Sequence, residues 1–594
     1  MSTLHRLPCG TPTTLAEAFQ NIVRLDPEGV AVRTPGNAIR ITWADYARRV
    51  RELAGGLAGL GVRPGDTVGI LLTNRPEFHL IDTAALHVGA IPFSIYNTLA
   101  PEQLAYVLDN ASARVIITEP RYLETIAKTG AELDHIVCLD DEIEGTVAFD
   151  ALPGLVPAEF DFESRWRAVA PDDVCTLIYT SGTTGSPKGV ELTHASLLAE
   201  CVAFDQVVEV RPGDRITSYL PSAHVADRLS AHYLQMTHGV QTTDIADLST
   251  IAEALPDVRP TIWLAVPRVW DKMRFRIEAA IDQAPSPLRR ELGRRALSLA
   301  IERVRAEQAG RRIAPHKELL WRLADLLVLS KVRATLGFDE LRWGISGAAA
   351  ISPDTLEFFL AIGIRVCEVW GMTETSAGTT INPPDAIRIG TVGKPVPTVE
   401  LKLAEDGELL LRGPMMMRGY RNDPERTREV LSADGWLSTG DIGTVDADGY
   451  VTIVDRKKEL IINAAGKNMS PTNIENTIKS ECPVAATVVV IGDSRPYNVA
   501  LIVLDQETAV EIAATHGREL VDAADLAADP AVLAAVEAGV TSGNARLARV
   551  EQIKKFTVLP AFWEPGGAEL TPTLKLRRKP ISTKYAAEIE ELYA

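Results

Sequence analysis

Short apolar runs alternate with amphipathic segments along most of the chain, and this alternation is the feature that most constrains the fold. In residues 42–72, Thr42 and Asp45 fit the start of a helix, and apolar residues then recur at helical spacing. Gly61 fits the end of that helix, and a short apolar strand follows it. Repeated helix and strand signals of this kind indicate an α/β domain with largely parallel strands.

Two changes of composition divide the 594 residues into parts. Residues 268–322 are helical in character and carry 14 Lys and Arg against 7 Asp and Glu. After about Lys458 the chain changes to paired apolar strands, an Ala-rich helical stretch and a basic tail. We therefore expect an N-terminal domain at 1–457, with a basic helical insertion at about 274–335, and a smaller C-terminal domain at 458–594.

Charge and cysteine content exclude several classes of protein. The net charge of -18 argues against general nucleic-acid binding, so no nucleic-acid partner is expected. The six cysteines form no C-x-x-C pair, which predicts free thiols in a reducing compartment and neither a zinc site nor disulfides. No secretory signal and no apolar window of 18 residues are found, so we expect a cytoplasmic protein without a spanning helix.

A loop rich in Ser, Thr and Gly follows the apolar strand at 174–179 and contains one lysine, Lys188. Such a loop lets backbone N–H groups approach an anion, while the hydroxyls and the lysine add donors. The Walker A pattern fails here, because Pro187 precedes the lysine and Gly189 follows it. A mobile linker would also fit the composition, but the flanking strands and the single lysine favour an anion-binding loop.

Five ordered blocks resemble the adenylate-forming superfamily of acyl-CoA synthetases, peptide-synthetase adenylation domains and luciferases. The resemblance runs from about residue 15 onward and is closest to the long-chain fatty acyl-CoA synthetases. It implies an α/β fold with a large N-terminal domain of layered αβαβα sheets plus a small β-barrel-like part, and a mobile, smaller α+β C-terminal domain. The blocks are YTSGTTGSPKG (179–189), WGMTE (370–374), GWLSTGD (435–441), DRKKELIINAAGKNMSPTNIE (455–475) and LTPTLKLRRKPI (570–581).

The resemblance implies a two-step reaction with ATP and coenzyme A as co-substrates and Mg²⁺ as cofactor. A fatty acid carboxylate attacks the α-phosphate of ATP, which gives an acyl-adenylate and pyrophosphate. The thiol of coenzyme A then attacks the acyl carbonyl and releases AMP. Because the first step brings an anion to a polyanion, the site must supply positive charge and alignment.

The same resemblance assigns an ATP site. The site consists of a phosphate loop, an adenine pocket and a ribose contact. The residues are, for the β- and γ-phosphates, Thr180, Ser181, Gly182, Thr183, Thr184 and Lys188; for adenine, Gly347, Ala348, Ala349 and Trp370; and for ribose, Asp441 and Arg456.

Three residues are implied to act on the reacting groups. Thr373 resembles a donor to the α-phosphate, and Glu374 resembles the carboxylate that holds Mg²⁺, a hard cation that prefers oxygen ligands. Lys575 resembles the lysine that reaches the carboxylate and the α-phosphate during adenylation only. Lys458 falls at the implied hinge of the C-terminal domain, and Gly466 at the implied path of the pantetheine arm of coenzyme A.

Two residues are expected to contact the acyl substrate, and one segment is expected to contact the lipid around it. His224 resembles a position near the acyl carboxylate, with a capped helix start as the alternative. Trp270, in TIWLAVPRVWDKM, resembles the gate of a long acyl tunnel, although a plain core tryptophan would look the same. The basic segment 268–322 is expected to make peripheral contact with anionic lipid on the inner membrane face.

Two other functions stay open on the sequence. One is a fatty acyl-AMP ligase that loads a carrier protein without coenzyme A. The other is a non-catalytic nucleotide-binding regulator, although the joint presence of Thr373, Glu374, Asp441 and Lys575 argues against it. Luciferase-type oxidation is a rare use of the same scaffold. The sequence leaves the acyl chain length and the oligomeric state open.

Overall fold

The computed structural model describes residues 7–180, 186–464, 467–571 and 574–594, with the backbone alone at Asn468. Its first part contains, in chain order, α1 (Leu15–Leu25), β1 (Val30–Arg33), β2 (Arg40–Thr42), α2 (Trp43–Gly59), β3 (Thr67–Leu71), α3 (Pro76–Val88), β4 (Ile91–Ser94), α4 (Pro101–Ala111), β5 (Val115–Thr118), α5 (Leu123–Thr129), β6 (His135–Cys138), β7 (Val147–Ala148), α6 (Phe162–Arg167) and β8 (Val174–Thr180).

The middle part is richer in helix and includes π-helical turns at Arg228–Tyr233 and Asp325–Leu329. Its elements are β9 (Lys188–Thr193), α7 (His194–Val208), β10 (Arg215–Ser218), α8 (Val225–Asp227), α9 (Leu234–His238), β11 (Gln241–Asp244), α10 (Ile251–Val258), β12 (Ile262–Ala265), α11 (Pro267–Asp282), α12 (Pro287–Gln308), α13 (Pro315–Ala324), α14 (Ser330–Thr335), β13 (Trp343–Ser346), α15 (Pro353–Ala361) and β14 (Val366–Trp370).

The last part begins with short strands and ends in an α+β unit. Its elements are β15 (Thr380–Ile381), β16 (Lys394–Pro395), β17 (Glu400–Leu403), β18 (Glu408–Arg412), β19 (Gly419–Tyr420), α16 (Pro424–Val430), β20 (Leu437–Val445), β21 (Val451–Arg456), β22 (Ile461–Ile462), β23 (Asn468–Met469), α17 (Pro471–Glu481), β24 (Ala485–Ile491), β25 (Asn498–Leu504), α18 (Gln506–Thr515), α19 (Ala523–Ala528), α20 (Pro530–Arg546), β26 (Ile553–Val558), α21 (Arg578–Lys584) and α22 (Ala586–Tyr593).

The α/β architecture predicted from the helix and strand alternation is confirmed. One sheet, ordered β4-β3-β5-β6-β7, is parallel throughout, and another joins β12, β13 and β14 in parallel before two short antiparallel strands. The helix predicted after Thr42 is present, and the Thr42 side chain accepts a hydrogen bond from the Asp45 backbone N–H. A four-stranded antiparallel sheet, β17-β18-β20-β21, forms the smaller β part of the N-terminal region.

The basic helical segment is an enlarged crossover between two neighbouring strands. Strands β12 and β13 pair in parallel, and helices α11 to α14 lie between them in sequence. Trp270 and Phe359 pack in the hydrophobic cluster beneath these helices. Within the described residues, no helix is long and apolar enough to cross a membrane.

The C-terminal α+β unit has a hydrophobic core of its own, built from residues between Ile461 and Ile553. It also contacts the larger part of the chain. The Glu507 carboxylate pairs with Lys272 and Arg276 of α11, both at 2.5 Å. The Asn476 side chain donates a hydrogen bond to the Ala350 carbonyl at 3.3 Å. These contacts hold the unit over the strand ends where the predicted site residues lie.

Candidate active site

The hairpin of β8 and β9 carries both ends of the predicted phosphate loop. Thr180 and Lys188 are register partners in this antiparallel pair, so the two ends of the predicted loop lie side by side. The ammonium of Lys188 lies 4.7 Å from the centroid of the Tyr420 ring. The predicted phosphate residues Ser181, Gly182, Thr183 and Thr184 lie outside the described residues.

Thr373 and Glu374 are buried on a short 3-10 turn that follows β14. The Tyr420 hydroxyl donates to Glu374 Oε1 at 2.8 Å, and the Met417 N–H donates to the Glu374 carbonyl at 2.8 Å. Burial raises the pKa of Tyr420, and the adjacent Glu374 carboxylate adds to the shift. The Tyr420 ring thus contacts both sides of the site: its hydroxyl binds the Glu374 carboxylate and its face lies near the Lys188 ammonium.

Asp441 and Arg456 form the predicted ribose end of the site. They are register partners on β20 and β21, and Arg456 Nε lies 2.7 Å from Asp441 Oδ1. The indole N–H of Trp370 donates to Asp441 Oδ2 at 2.8 Å. Burial raises the pKa of Asp441, and Arg456 opposes this shift. Trp370, predicted to stack on adenine, thus lies at the edge of the predicted ribose contact.

The predicted adenine turn, residues 347–349, follows β13 directly. A Cβ at Gly347 would lie 2.6 Å from Val369 Cγ1, so only glycine lets this turn lie against β14. Ala348 has φ +68°, a left-handed conformation that is unusual for alanine. Ala348 and Ala349 are exposed at the strand ends, where a planar group has room to approach.

Lys575 reaches this site from the C-terminal unit. Its backbone N–H donates to Thr571 Oγ1 at 3.0 Å, and Leu574 before it has φ +63°, which closes a tight turn. The Lys575 residue is exposed overall. Desolvation of its ammonium by the surrounding protein nevertheless lowers its pKa, and the charge of Arg456 lowers it further. Asp441 and Glu374 act in the opposite direction. The charge of Lys575 therefore interacts with Asp441 at the ribose end of the site and with Glu374 at the predicted magnesium position.

His224 is the N-cap of α8, and its Nδ1 accepts a hydrogen bond from the Ala226 N–H at 3.2 Å. Burial lowers the pKa of His224 to about 3, and the charge of Lys575 adds to this shift. The ring is therefore neutral at physiological pH. Because Nδ1 accepts, its proton is on Nε2. The helix start predicted as the alternative role is present, and Lys575 is close by.

Trp270, the predicted gate, is fully buried at the start of α11. Its Nε1–H donates to the Ile345 carbonyl at 3.1 Å, and its ring packs edge to face against Trp263 and Phe359. A Cβ at Gly344 would lie 2.9 Å from the indole ring. The side chain thus closes over β13, which is compatible with a core residue and with a closed gate.

Lys458 is exposed in the turn that follows β21, as a hinge position requires. Asp455 precedes it and connects the two parts of the chain: the Thr472 hydroxyl donates to Asp455 Oδ1 at 3.1 Å, and the Ser470 hydroxyl donates to Oδ2. Ser470 and Thr472 lie at the start of α17. Gly466, predicted for coenzyme A, lies outside the described residues.

A buried polar cluster beneath the site was not predicted. Nδ1 of His79 lies 3.0 Å from Nδ1 of His232, and Nε2 of His232 lies 2.9 Å from Asp82 Oδ1. Arg228 donates to Asp82 Oδ2 and to the Tyr233 hydroxyl. All of these side chains are fully buried. His79 and Asp82 lie on α3, and the other three lie four to nine residues after His224. Polar residues inside the otherwise apolar α3 were the available signal.

Glu200 supports the loop behind Glu374. It is fully buried on α7, and its Oε1 accepts a hydrogen bond from the Gly378 N–H at 2.8 Å. Its Oε2 has no hydrogen-bond partner among the described residues. Burial raises the pKa of this carboxyl to about 8, so it is protonated in the folded protein at neutral pH.

Glu200→Gln is expected to remove one component of the pH dependence of stability. Between its ordinary pKa of 4.5 and its folded pKa of about 8, Glu200 holds a proton in the folded state only. The free energy of unfolding therefore falls as the pH rises through this window, by up to about 1.4 kcal/mol per pH unit. Urea unfolding from pH 5 to 8 should show a shallower decline for Glu200→Gln than for the wild type. Exposed Glu52→Gln is the control, and parallel curves for Glu200→Gln and the wild type would contradict the assignment.

The chain is similar to known proteins over most of its length. A family model described as AMP-binding enzyme matches residues 19–421, and one described as AMP-binding enzyme C-terminal domain matches residues 458–594. A Mycobacterium tuberculosis (strain ATCC 25618 / H37Rv) protein named "Putative fatty-acid--CoA ligase fadD11" is 56% identical over 435 residues, 73% of this chain and 76% of that protein. Long-chain-fatty-acid–CoA ligase FadD15 of Mycobacterium bovis is 37% identical over 572 residues, 93% of this chain and 92% of its own length.

Two solved structures share the fold at low sequence identity. The anthranilate CoA ligase AuaEII, crystallised with anthranoyl-AMP, superimposes with a TM-score of 0.72 at 21% identity, covering 97% of this chain and 98% of that chain. A Mycobacterium tuberculosis fatty acyl CoA synthetase superimposes with a TM-score of 0.60 at 22% identity, covering 97% and 99%. At these identities the likeness shows the fold.

Proposed function

The chain belongs to the AMP-binding enzyme family, and from this premise we propose that it is a long-chain fatty acid–CoA ligase. It would form an acyl-adenylate from ATP and a fatty acid, release pyrophosphate, and transfer the acyl group to coenzyme A. The names of the relatives at 56% and 37% identity support fatty acids as the substrate class. The observation that carries the proposal is the position of Lys575, close enough to His224 to shift its pKa and influenced by Asp441 and Glu374.

For the first step, we assign alignment and charge to named residues. Thr180, Lys188 and the loop between them would hold the β- and γ-phosphates, and Thr373 would donate to the α-phosphate. A carboxylate oxygen then attacks the α-phosphorus while the bond to pyrophosphate breaks, and no proton needs to move. Lys575 would neutralise the attacking carboxylate and the α-phosphate, the charge that a polyanionic reaction requires.

The acyl carboxylate would lie between Lys575 and His224. The neutral His224 ring has its proton on Nε2, so it is suited to donate to the carbonyl oxygen of the acyl-adenylate. Asp441 would accept from the ribose hydroxyls after giving up its bond to Trp370 or Arg456. Gly347, Ala348 and Ala349 would line the adenine pocket.

A magnesium ion fits the donor set. Mg²⁺ is commonly bound by one or two carboxylates together with substrate phosphates, and Glu374 is a buried carboxylate held by Tyr420 next to the predicted phosphate positions. When bound, the ion would offset the charge of the phosphates. The described residues include no cluster of three or more His, Cys, Asp or Glu that would form a separate metal site.

For the second step, we propose that residues 458–594 rotate about Lys458 and withdraw Lys575. Such a rotation would break the Asp455 bonds to Ser470 and Thr472 and bring the segment around Gly466 towards the acyl-adenylate. The thiol of coenzyme A then attacks the acyl carbonyl, AMP leaves, and the thiol proton passes to solvent. A gate at Trp270 that opens an acyl tunnel remains part of this proposal.

The compartment is also a proposal. Six buried free cysteines support a reducing compartment, and we place the reaction in the cytoplasm. The excess of basic residues in segment 268–322 supports contact with anionic lipid.

A pyrophosphate-release screen over saturated acids from about C2 to C24, with and without coenzyme A, tests the function. We expect release with long-chain acids and accumulation of acyl-CoA only when coenzyme A is present. Release without any acyl-CoA would favour a ligase that loads a carrier protein. ATP binding without release for any acid would favour a non-catalytic regulator.

A further inference from the structure

The helix formed by α13 and the π-helical turn Asp325–Leu329 has an unusual surface. Five leucines are 47% to 67% exposed, although leucine side chains normally lie in the core. Three of them recur at α-helical spacing on α13, and the other two lie on the π-helical turn Asp325–Leu329 that continues it. We call this face the leucine stripe; its members are Leu319, Leu320, Leu323, Leu326 and Leu327.

Basic side chains surround the leucine stripe. Arg311 and Arg312 precede it, Arg322 lies within it, and Lys331 follows it, and all four are exposed. The two acidic residues of this stretch are only partly exposed. Glu318 pairs with Arg303 and Arg322, and Asp325 pairs with Arg333.

The other side of the helix packs against the hydrophobic cluster of the basic segment. Leu329 is buried, and Trp321 packs against the neighbouring cluster and stacks under Arg303 at 4.1 Å. The helix therefore has one face half-buried against the cluster and one apolar face directed to solvent. An exposed apolar patch of this kind, edged by charge, marks an interaction site.

We propose that the leucine stripe is a docking surface for an anionic lipid bilayer, with the leucines in the outer acyl layer and the four basic residues at the headgroups. An amphipathic helix with leucines on one face and Lys or Arg beside them lies in the plane of such an interface. The helix does not meet the requirements for spanning a membrane, so an in-plane position is the one that its length and charge allow.

A second copy of the chain is the main competing occupant. Two leucine stripes related by a two-fold axis would bring Arg322 of one copy near basic residues of the other, with no exposed acid in residues 311–331 to compensate. A negatively charged lipid surface has the complementary sign. Charge complementarity therefore favours lipid over self-association.

An open groove of about 1070 Å³ begins beside the start of α13. Its walls combine the aliphatic side chains Ile281, Leu297 and Ile301 with charged residues of both signs. The basic ones are Arg294, Arg305, Arg311, Arg312 and Lys317, and the acidic ones are Glu278, Asp282 and Glu302. One wall belongs to α11, the helix that also carries Trp270. The groove thus extends the aliphatic surface from the start of α13 towards the helix of the proposed gate, with five basic residues against three acidic ones in its walls.

Vesicle flotation tests this proposal with the full-length protein. Wild-type protein should float with vesicles of phosphatidylcholine plus phosphatidylglycerol, and more weakly with phosphatidylcholine alone. The variant Leu323→Gln/Leu327→Gln should lose at least about 10-fold in binding to the anionic vesicles. Leu25→Gln, at a leucine that is 58% exposed outside the stripe, is the matched control and should bind as the wild type does.

Each other outcome has a defined meaning. Equal binding of the stripe variant and the wild type, or no binding of the wild type, would overturn the proposal. A wild-type dimer that the stripe variant converts to monomer, without vesicle binding, would identify a second copy as the occupant. Because none of the five leucines is among the proposed catalytic residues, pyrophosphate release on detergent-dispersed fatty acid should be the same in wild type and variant. Loss of that activity in the wild type would instead count against the proposed function.

Discussion

Lys575→Ala should reduce pyrophosphate release from ATP and fatty acid by at least about 10²- to 10³-fold, the usual cost of removing one preorganised charge contact to a transition state. The reason is position: Lys575 is the C-terminal residue whose charge acts on His224 and is itself influenced by Asp441 and Glu374. Transfer of a supplied acyl-adenylate to coenzyme A should stay largely intact, because Lys575 would have left the site by then. Pyrophosphate release and thioester formation are measured separately.

The control for this experiment is Lys579→Ala, which removes an exposed lysine four residues away on α21. It should leave both half-reactions close to the wild-type rates. If Lys575→Ala slows both half-reactions equally, the division of labour between the two steps is wrong. If the control is as slow as Lys575→Ala, the effect belongs to the general charge of the basic tail.

The sequence predicted those features that depend on contacts between near neighbours in the chain or on the order of the motifs. The cap at Thr42 and the helix after it were predicted, because the relevant contacts span only three or four residues. Asp441 and Arg456 were both predicted to contact ribose from the order of the blocks, and the register of β20 and β21 brings the two together. Local rules and ordered motifs therefore predicted the fold class, which is confirmed, while the roles of the site residues stay predictions.

What the sequence did not give depends on contacts between distant residues. Asp82 and Arg228 are separated by 146 positions, and no local pattern relates them. Tyr420 meets Glu374 across 46 positions, through a short strand with no strong signal. Leu323 fits a buried helical face by periodicity, yet it is exposed, because periodicity shows that a face is apolar and not what covers it.

Arg228→Met should lower the free energy of unfolding by about 3 to 5 kcal/mol, the range for removing one partner of a buried ion pair. Burial alone would raise the pKa of Asp82, but Arg228 and His232 together hold it below its ordinary value. Without Arg228, the Asp82 carboxylate would be buried with less positive charge beside it. The matched control is Arg48→Met, at an exposed pair with Glu52, where the loss should stay below about 1 kcal/mol.

The pH dependence of this loss gives a second test of its origin. In Arg228→Met the folded pKa of Asp82 should rise above its ordinary value of 3.8, so the folded variant would take up a proton before the unfolded chain does. Its free energy of unfolding should then fall as the pH rises from about 4 to 7, and the gap to the wild type should widen over that range. Urea unfolding followed by tryptophan fluorescence at each pH measures the free energy of unfolding of the variant and its difference from the wild type.

A gap that is constant with pH would show that Arg228 acts by filling space. The double variant Asp82→Asn/Arg228→Met would then be no more stable than Arg228→Met. If charge is the cause, the double variant should regain part of the loss, because it buries no unpaired carboxylate.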